Sequence, residues 1–446
     1  MPDQPGRPGG ALRLRLTGKG AAIKSIMVLW IGSLGGGLLA FLNQVAQARV
    51  LGPADYGTFA AALGMVTLVS PLASFGVGGL WLRLFGLEGW GARRWLGVSL
   101  RYALISTALV LIATLVWAAA GPHDPQTRRA IAILSLFILG QASLELVSSL
   151  LQLEGKYRQL AAWQFMPHLL RLLLLGALIL AARALVTPDA VAIIYSSIGA
   201  AMAVFGAVMI RRIAGDGFGL VGHGPAPDGP RPKAGATMRE VVAQAWPFGV
   251  GSVFYLIYFQ SDIVLLKYMR GDEAAGIYSV AATVMAAAYM LPAVVYQKFL
   301  LPKLHRWAVH DRARFRRAYD TGNRIMIGLG VATMAALMLA ADIAVPLLFG
   351  RSYDSSIHVL YVLAISAPLR FLSTSIGAAL VTHDYMRRKV VFMAIAASAN
   401  VILNVGSVPT YGVMGAAVST LMSEALLAML YFIGARSYFQ RNMDGV

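Results

Sequence analysis

The chain has 446 residues, 58% hydrophobic and 13% charged, with a mean hydropathy of +0.67 and a formal net charge of +18. That much uncovered apolar surface excludes a soluble enzyme and marks an integral membrane protein. With no cysteine, the chain has no disulfide, no thiolate catalyst and no cysteine-bound metal.

Residues 1–20 are rich in Pro, Gly and Arg and read as a disordered basic cytosolic arm. The apolar run that follows is too long for a cleaved signal peptide. Ile23 to Gln47 supplies the roughly 20 apolar residues that one bilayer-crossing helix needs. Similar stretches begin near Thr58, Leu96, Arg129, Leu160, Asp189, Val241, Ala275, Ile325, Ile357, Val390 and Val413. Within the first, Gly32 and Gly36 form a G-x-x-x-G, which in an apolar span signals close helix packing rather than a phosphate cradle. No G-x-x-x-x-G-K-[ST] loop is present, so ATP is not the direct energy source.

The connections alternate in charge. Most of the 38 Lys and Arg residues fall on the side that holds both termini, whereas the opposite side holds only Arg49, Arg128, Arg129, Arg183, Lys267, Arg270 and Arg351. This asymmetry places the basic side in the cytoplasm. It assigns the net charge to one membrane face and to anionic lipid headgroups, not to nucleic acid. The basic segment Lys298 to Arg324, with Leu300, Leu304, Trp307 and Phe315 among its charges, has the pattern of an interfacial amphipathic helix that anchors at the membrane surface.

Residues 214–237 form a Gly/Pro-rich linker between two sets of six spans, 21–213 and 238–438, with a short tail at 439–446. Both sets start and finish on the same side, so an axis along the membrane normal should relate them. A weak repeat agrees: Leu51 to Phe59 follows the first span, Arg270 to Tyr278 follows the seventh, and Gly57 aligns with Gly276. The expected fold is an all-α integral membrane protein with twelve transmembrane helices in two six-helix lobes around a central cavity, both termini cytoplasmic. Outside loops of at most ~10 residues leave no room for an extramembrane catalytic domain. A membrane-embedded glycan-assembly enzyme is therefore disfavoured.

Ala48 to Gly57, followed by the apolar run through Phe75-Gly76-Val77-Gly78, closely resembles the opening of the polysaccharide exporters and Wzx-like O-antigen flippases. Asn400 to Asn404, Tyr411 to Ala417 and Ser423-Glu424 are similar to that family's late pattern, and Asp262 with Gly276-Ile277-Tyr278 to the start of its second half. The resemblance spans nearly the whole chain and places it in the MATE-like multidrug/oligosaccharidyl-lipid/polysaccharide exporter superfamily. It implies alternating-access translocation of an undecaprenyl-pyrophosphate-linked oligosaccharide across a bacterial inner membrane, for O-antigen or exopolysaccharide synthesis, beside a polysaccharide polymerase and a chain-length partner. Multidrug extruders of the superfamily carry an acidic residue in their first helix, where this chain has only Asn43, Gln44 and Gln47. Lipid II flippases usually have fourteen spans. A cation-coupled multidrug antiporter remains the alternative.

Charges within predicted spans are the candidate site, because each costs at least about 2.5 kcal/mol at the bilayer centre. Arg171 lies roughly 16 Å into the fifth span and shares a helix face with Gln164 and His168, with Pro167 between them. Arg370, beside Pro368, repeats the pattern in the tenth span, and Arg101 sits nearer the cytoplasmic surface. Guanidinium groups suit the pyrophosphate head that the resemblance implies; helix-locking pairs with carboxylates are the structural alternative. Glu145, on a stripe with Gln141 and Gln152, is a candidate partner for Arg171. Asp262, with Asp342 and Glu424, is the candidate coupling group for Na⁺ or H⁺, no other cofactor being expected, and Lys267 is the alternative partner of Asp262. Asn400 and Asn404, one turn apart, read as interhelical hydrogen-bonding residues.

Overall fold

The computed structural model describes residues 9–214, 219–224, 235–294, 311–380 and 386–443, and among them every regular element is a helix. Among the described residues seven helical stretches are long and apolar enough to cross a membrane, or eight if the pair Ser355–Ile365 and Ala367–Ala378, bent by 42°, counts as one span. The chain is a multi-pass membrane protein.

Helix α1 (Gly9–Val69) breaks at Gly52, whose φ of 77° only glycine adopts freely and which Pro53 follows. Its backbone is already helical at Gly9, so the arm expected to be disordered over residues 1–20 is helical in its second part; Leu12, Arg13, Leu14, Arg15 and Leu16 are all good helix formers. A second break follows. Pro71 opens the single turn α2 (Pro71–Ser74), then Phe75 at φ 31° and Gly76 at φ 81° turn the chain into α3 (Val77–Glu88). The carbonyls freed at Leu72 and Ala73 accept hydrogen bonds from Ser106 Oγ and Thr107 Oγ1 of α4 (Arg93–Ala120), as an interrupted helix at membrane depth requires.

Helices α5 (Pro125–Leu153), α6 (Tyr157–Ala182) and α7 (Pro188–Ala214) complete the first half. The G-x-x-x-G reading holds: a Cβ on Gly32 would lie 2.7 Å from that of Ala161, and Gly36 faces Phe165 and His168, all on α6. Within the linker, Leu220 is buried with Trp81, Leu84 and Trp95, and the Val221 N–H donates to the Leu153 carbonyl at 3.0 Å. Residues 219–224 are thus docked on the first half, while 215–218 and 225–234 lie outside the described residues.

The second half comprises α8 (Met238–Arg270), α9 (Asp272–Val294), α10 (Arg312–Phe349), α11 (Ser355–Ile365), α12 (Ala367–Ala379) and α13 (Met386–Met443). Thr237 and Glu240 cap the start of α8 reciprocally. Helix α13 breaks at Gly412, φ 56°, as α1 does at Gly52. Of the basic amphipathic segment, residues 298–310 lie outside the described residues, and from Arg312 the chain runs straight into α10 with Phe315 buried.

The halves meet at both ends of the bundle. At the Gly52 end, Lys267 Nζ lies 2.9 Å from Asp124 Oδ2 and also pairs with Asp272, while Tyr268 Oη and His123 Nδ1 are 2.6 Å apart. Tyr353 donates to the Ala48 carbonyl at 2.9 Å. At the linker end the turn between α2 and α3 presses on α8: a Cβ on Gly76 would collide with the Ala245 carbonyl, and one on Gly79 would lie 2.8 Å from the Phe248 ring. Between these two contacts α1 stays packed on α9, with Thr283 donating to Gln44, while α1, α5, α6 and α8 part.

Candidate functional site

The space they leave is a cavity of about 710 Å³, and its lining draws on α1, α2, α5, α6, α7 and α8. Gln164, His168 and Arg171 of α6 all line it, as their helical spacing predicts, and so does Glu145 of α5. The remaining polar lining is uncharged and rich in amides and hydroxyls: Gln44, Gln141, Gln152, Ser148, Ser149 and Ser252.

Arg171 is 8% exposed, and among the described residues no carboxylate lies within 4 Å of it. Aromatic faces hold it instead. Its guanidinium carbon lies 4.2 Å from the Tyr195 ring centroid and 5.1 Å from that of Phe137, and Nε has no hydrogen-bond partner. Gln47 in turn fixes Tyr195, donating to its hydroxyl at 2.9 Å. Cation–π contact stabilises the charge while leaving its N–H donors free. The expected partner, Glu145, turns away from Arg171 and accepts from Ser74 Oγ in the α2 turn. The broken span brings a hydroxyl within its reach, which sequence spacing alone does not reveal.

Arg370 is elsewhere. It pairs with Glu424 of α13 at 3.1 Å, stacks 4.4 Å from the Phe259 centroid and lines a separate cavity in the second half. The helix-locking reading therefore applies to Arg370 and not to Arg171. Arg101 is exposed on α4 and lines neither cavity, because the face of α4 that carries it points away from the bundle.

The three acidic residues grouped as coupling candidates do not meet. Asp262, 3% exposed, accepts from Tyr278 Oη at 2.7 Å, Thr420 Oγ1 at 2.8 Å and Asn404 Nδ2 at 2.7 Å. Ser261 donates to Asn400 Oδ1 at 3.1 Å, so both asparagines do bond between helices. Lys267, the alternative partner of Asp262, is taken by Asp124 and Asp272. Asp342 is exposed and bonded to Tyr361, and Glu424 is committed to Arg370, so neither joins Asp262. Asp262 is thus a buried carboxylate held by neutral donors, beside an Asn404 Oδ1 that has no partner.

Sequence reasoning missed Tyr195, Phe137, Ser74 and Thr420, and named Tyr278 beside Asp262 only as part of the family resemblance. For the aromatics no signal was available, since a ring in an apolar span reads as core packing. Thr420, by contrast, lies one turn from Glu424, a residue already singled out.

Among proteins of known sequence, the chain is 24% identical over 244 residues to a probable flippase, AglR, of Haloferax volcanii. The match covers 54% of this chain and 50% of that protein, so the chain spans about half the length of this relative. Among solved structures it resembles the lipid II flippase MurJ in an inward closed conformation, with a TM-score of 0.72 at 12% identity over 92% of this chain and 87% of MurJ. It also resembles an outward-facing MATE family multidrug transporter of the MOP superfamily, with a TM-score of 0.62 at 15% identity over 94% of this chain and 96% of that one. These likenesses give the fold alone, an all-helical arrangement like that of MurJ and of the MATE family structure. Residues 22–307 match the polysaccharide biosynthesis protein family, to which the chain therefore belongs.

Proposed function

We propose that this protein is a flippase that moves an undecaprenyl-pyrophosphate-linked oligosaccharide from the cytoplasmic to the periplasmic leaflet of a bacterial inner membrane, for O-antigen or exopolysaccharide synthesis. The observation that carries the reading is Arg171: a buried guanidinium held by two aromatic faces, with no acidic partner among the described residues, in a large cavity whose polar lining is mostly amides and hydroxyls. Such a cation suits a pyrophosphate in a low-dielectric site, and the amides and hydroxyls suit sugar hydroxyls. The probable flippase among the relatives supports the same activity.

Taking Gly52, Gly412 and the bends near Gly76 and Ser366 as features of separate or kinked spans, the helices divide into twelve crossings with both termini cytoplasmic. The cavity then lies mainly within the first six-helix lobe, with Ser252 and Leu256 of α8 lining it from the second. Asp262 serves as the coupling group for Na⁺ or H⁺, with the unpartnered Asn404 Oδ1 as a further oxygen ligand. Polymerase and chain-length proteins would act on the product at the periplasmic face.

One observation favours the multidrug antiporter as a second reading: Glu145 lines the same cavity, and its one hydrogen-bonding side-chain partner among the described residues is the neutral Ser74. The deciding experiment deletes the gene in its native host and follows the leaflet location of the lipid-linked precursor. Precursor trapped on the cytoplasmic leaflet, released by wild type but not by Arg171→Ala, supports the flippase. Normal precursor distribution with altered drug tolerance supports the antiporter.

A further inference from the structure

The second half encloses a cavity of about 230 Å³ between α8, α12 and α13 that shares no lining residue with the Arg171 cavity. Its polar groups are donors in search of an acceptor. Ser373, 3% exposed, lines it with a hydroxyl that has no hydrogen-bond partner, while the Tyr258 hydroxyl lies beside the Glu424 carboxylate. Lys389 donates to the Gly377 carbonyl at 3.1 Å, and no carboxylate among the described residues lies within 4 Å of its ammonium. Arg370 is neutralised by Glu424 and braced by aromatic rings, so the uncompensated charge of the pocket is Lys389. The other walls, among them Phe259, Met393, Leu427 and Tyr431, are apolar or aromatic.

An orphaned hydroxyl in a dry interior costs about 1–3 kcal/mol, and an ammonium carries three donors of which one is used here. An unpartnered hydroxyl and an unpaired cation around one space call for a single anion with several acceptor oxygens. A sugar would also need acceptors for its own hydroxyls, and Glu424, the carboxylate paired with Arg370, is 2% exposed and does not line the cavity. We propose that this cavity is a second binding site, specific for a phosphoryl group carried on an apolar chain, with Lys389 and Ser373 on the phosphoryl oxygens and the apolar walls against the chain. The phosphoryl group would come from an isoprenyl phosphate or from a bilayer phospholipid. Neither source requires Arg171, so the site stands independently of the transport reading.

Native mass spectrometry of the purified full-length protein tests this. The probes are farnesyl phosphate and dioleoyl phosphatidylglycerol, with dioleoylglycerol as the phosphate-free control. Wild type and Arg171→Gln should each retain a phosphate-dependent adduct that weakens about tenfold in Lys389→Gln, the loss expected for one charged hydrogen-bond donor. Lys389→Arg should recover most of it, which separates lost charge from misfolding. Displacement of phosphatidylglycerol by equimolar farnesyl phosphate assigns the site to isoprenyl phosphates, and failure to displace assigns it to bilayer lipid; either supports the site. Equal binding by wild type and Lys389→Gln, or dioleoylglycerol binding as well as phosphatidylglycerol, overturns it.

Discussion

Gly57 and Gly276, which occupy matching places in the two halves of the sequence, lie against each other across the interface between those halves. A Cβ on Gly57 would collide with the Asp272 carbonyl and lie 2.8 Å from the Gly276 nitrogen. One on Gly276 would collide with the Pro53 carbonyl and lie 3.2 Å from the Gly57 nitrogen. Each glycine thus makes room for the backbone just before the other, so the repeat that relates the halves also forms a close backbone contact between them at the Gly52 end.

A side chain at this contact should hold that end apart. Gly276→Val is expected to cost the closed arrangement roughly 1–3 kcal/mol, as overpacking does in a dense interior. Because the chain has no native cysteine, a single Thr283→Cys, buried beside Gln44, reports on access to the cavity roof. Its labelling by a membrane-impermeant maleimide should rise severalfold when Gly276→Val is added. Unchanged labelling would mean that the contact does not gate the cavity.

The ion pairs around Lys267 make the same end resistant to acid. Burial alone would raise the Asp124 carboxyl, but the Thr127 hydroxyl and backbone N–H, with the Lys267 ammonium, together hold it well below the usual carboxylate range. A depressed carboxylate stabilises the closed end fully above its ordinary value, about 4, and loses that contribution only as pH falls further, through the lowered value. Closure should therefore not weaken through Asp124 between pH 5 and 8. Lys267→Ala should raise Thr283→Cys labelling at every pH in that window, and a wild-type labelling rate that climbs between pH 7 and 5 would contradict this.

Arg171 and Arg370 should respond differently to the same substitution. Arg370→Gln leaves Glu424, 2% exposed, as an uncompensated buried charge, at a cost of about 3–5 kcal/mol in unfolding. Adding Glu424→Gln should restore most of that stability. Arg171→Gln strands no carboxylate and should unfold near the wild-type temperature while abolishing precursor translocation. Tyr195→Leu, which removes one cation–π face worth about 1–2 kcal/mol, should slow translocation about five- to thirtyfold. Thermal unfolding in detergent, set beside leaflet assays, reads both effects.

This contrast marks how far the sequence could be read. Intramembrane charge flagged Arg171 and Arg370 alike, because the cost of a guanidinium in hydrocarbon depends on depth, which sequence gives. What separates them is a partner 54 positions along the chain, Glu424, and a ring on another helix, Tyr195. Neither has a local signature. The stripe Gln164, His168 and Arg171 was legible because helical periodicity alone sets its face. Glu145 was misassigned because its true partner, Ser74, is delivered by a helix break whose direction depends on the φ of Phe75 and Gly76. For Asp262, the helix of origin could be read, but not the neutral cage contributed by Tyr278, Asn404 and Thr420 from two other helices.

That cage makes Asp262→Asn a clean test of coupling. The substituted amide keeps a carbonyl oxygen to accept from Tyr278 and Thr420. Its new N–H₂ would face the Asn404 amide, whose Oδ1 is unpartnered and becomes an acceptor on rotation. Packing should survive, and only the charge is lost. If Asp262 binds Na⁺, the wild type should melt at a higher temperature as Na⁺ is raised from zero, by the mass-action stabilisation that any ligand of the native state confers, and Asp262→Asn should not. If it carries H⁺ instead, the Na⁺ series should be flat in both proteins, and translocation by wild type but not by Asp262→Asn should follow an imposed pH gradient. A variant that translocates at the wild-type rate with unchanged ion dependence would reduce Asp262 to a hydrogen-bonded tie between α8, α9 and α13.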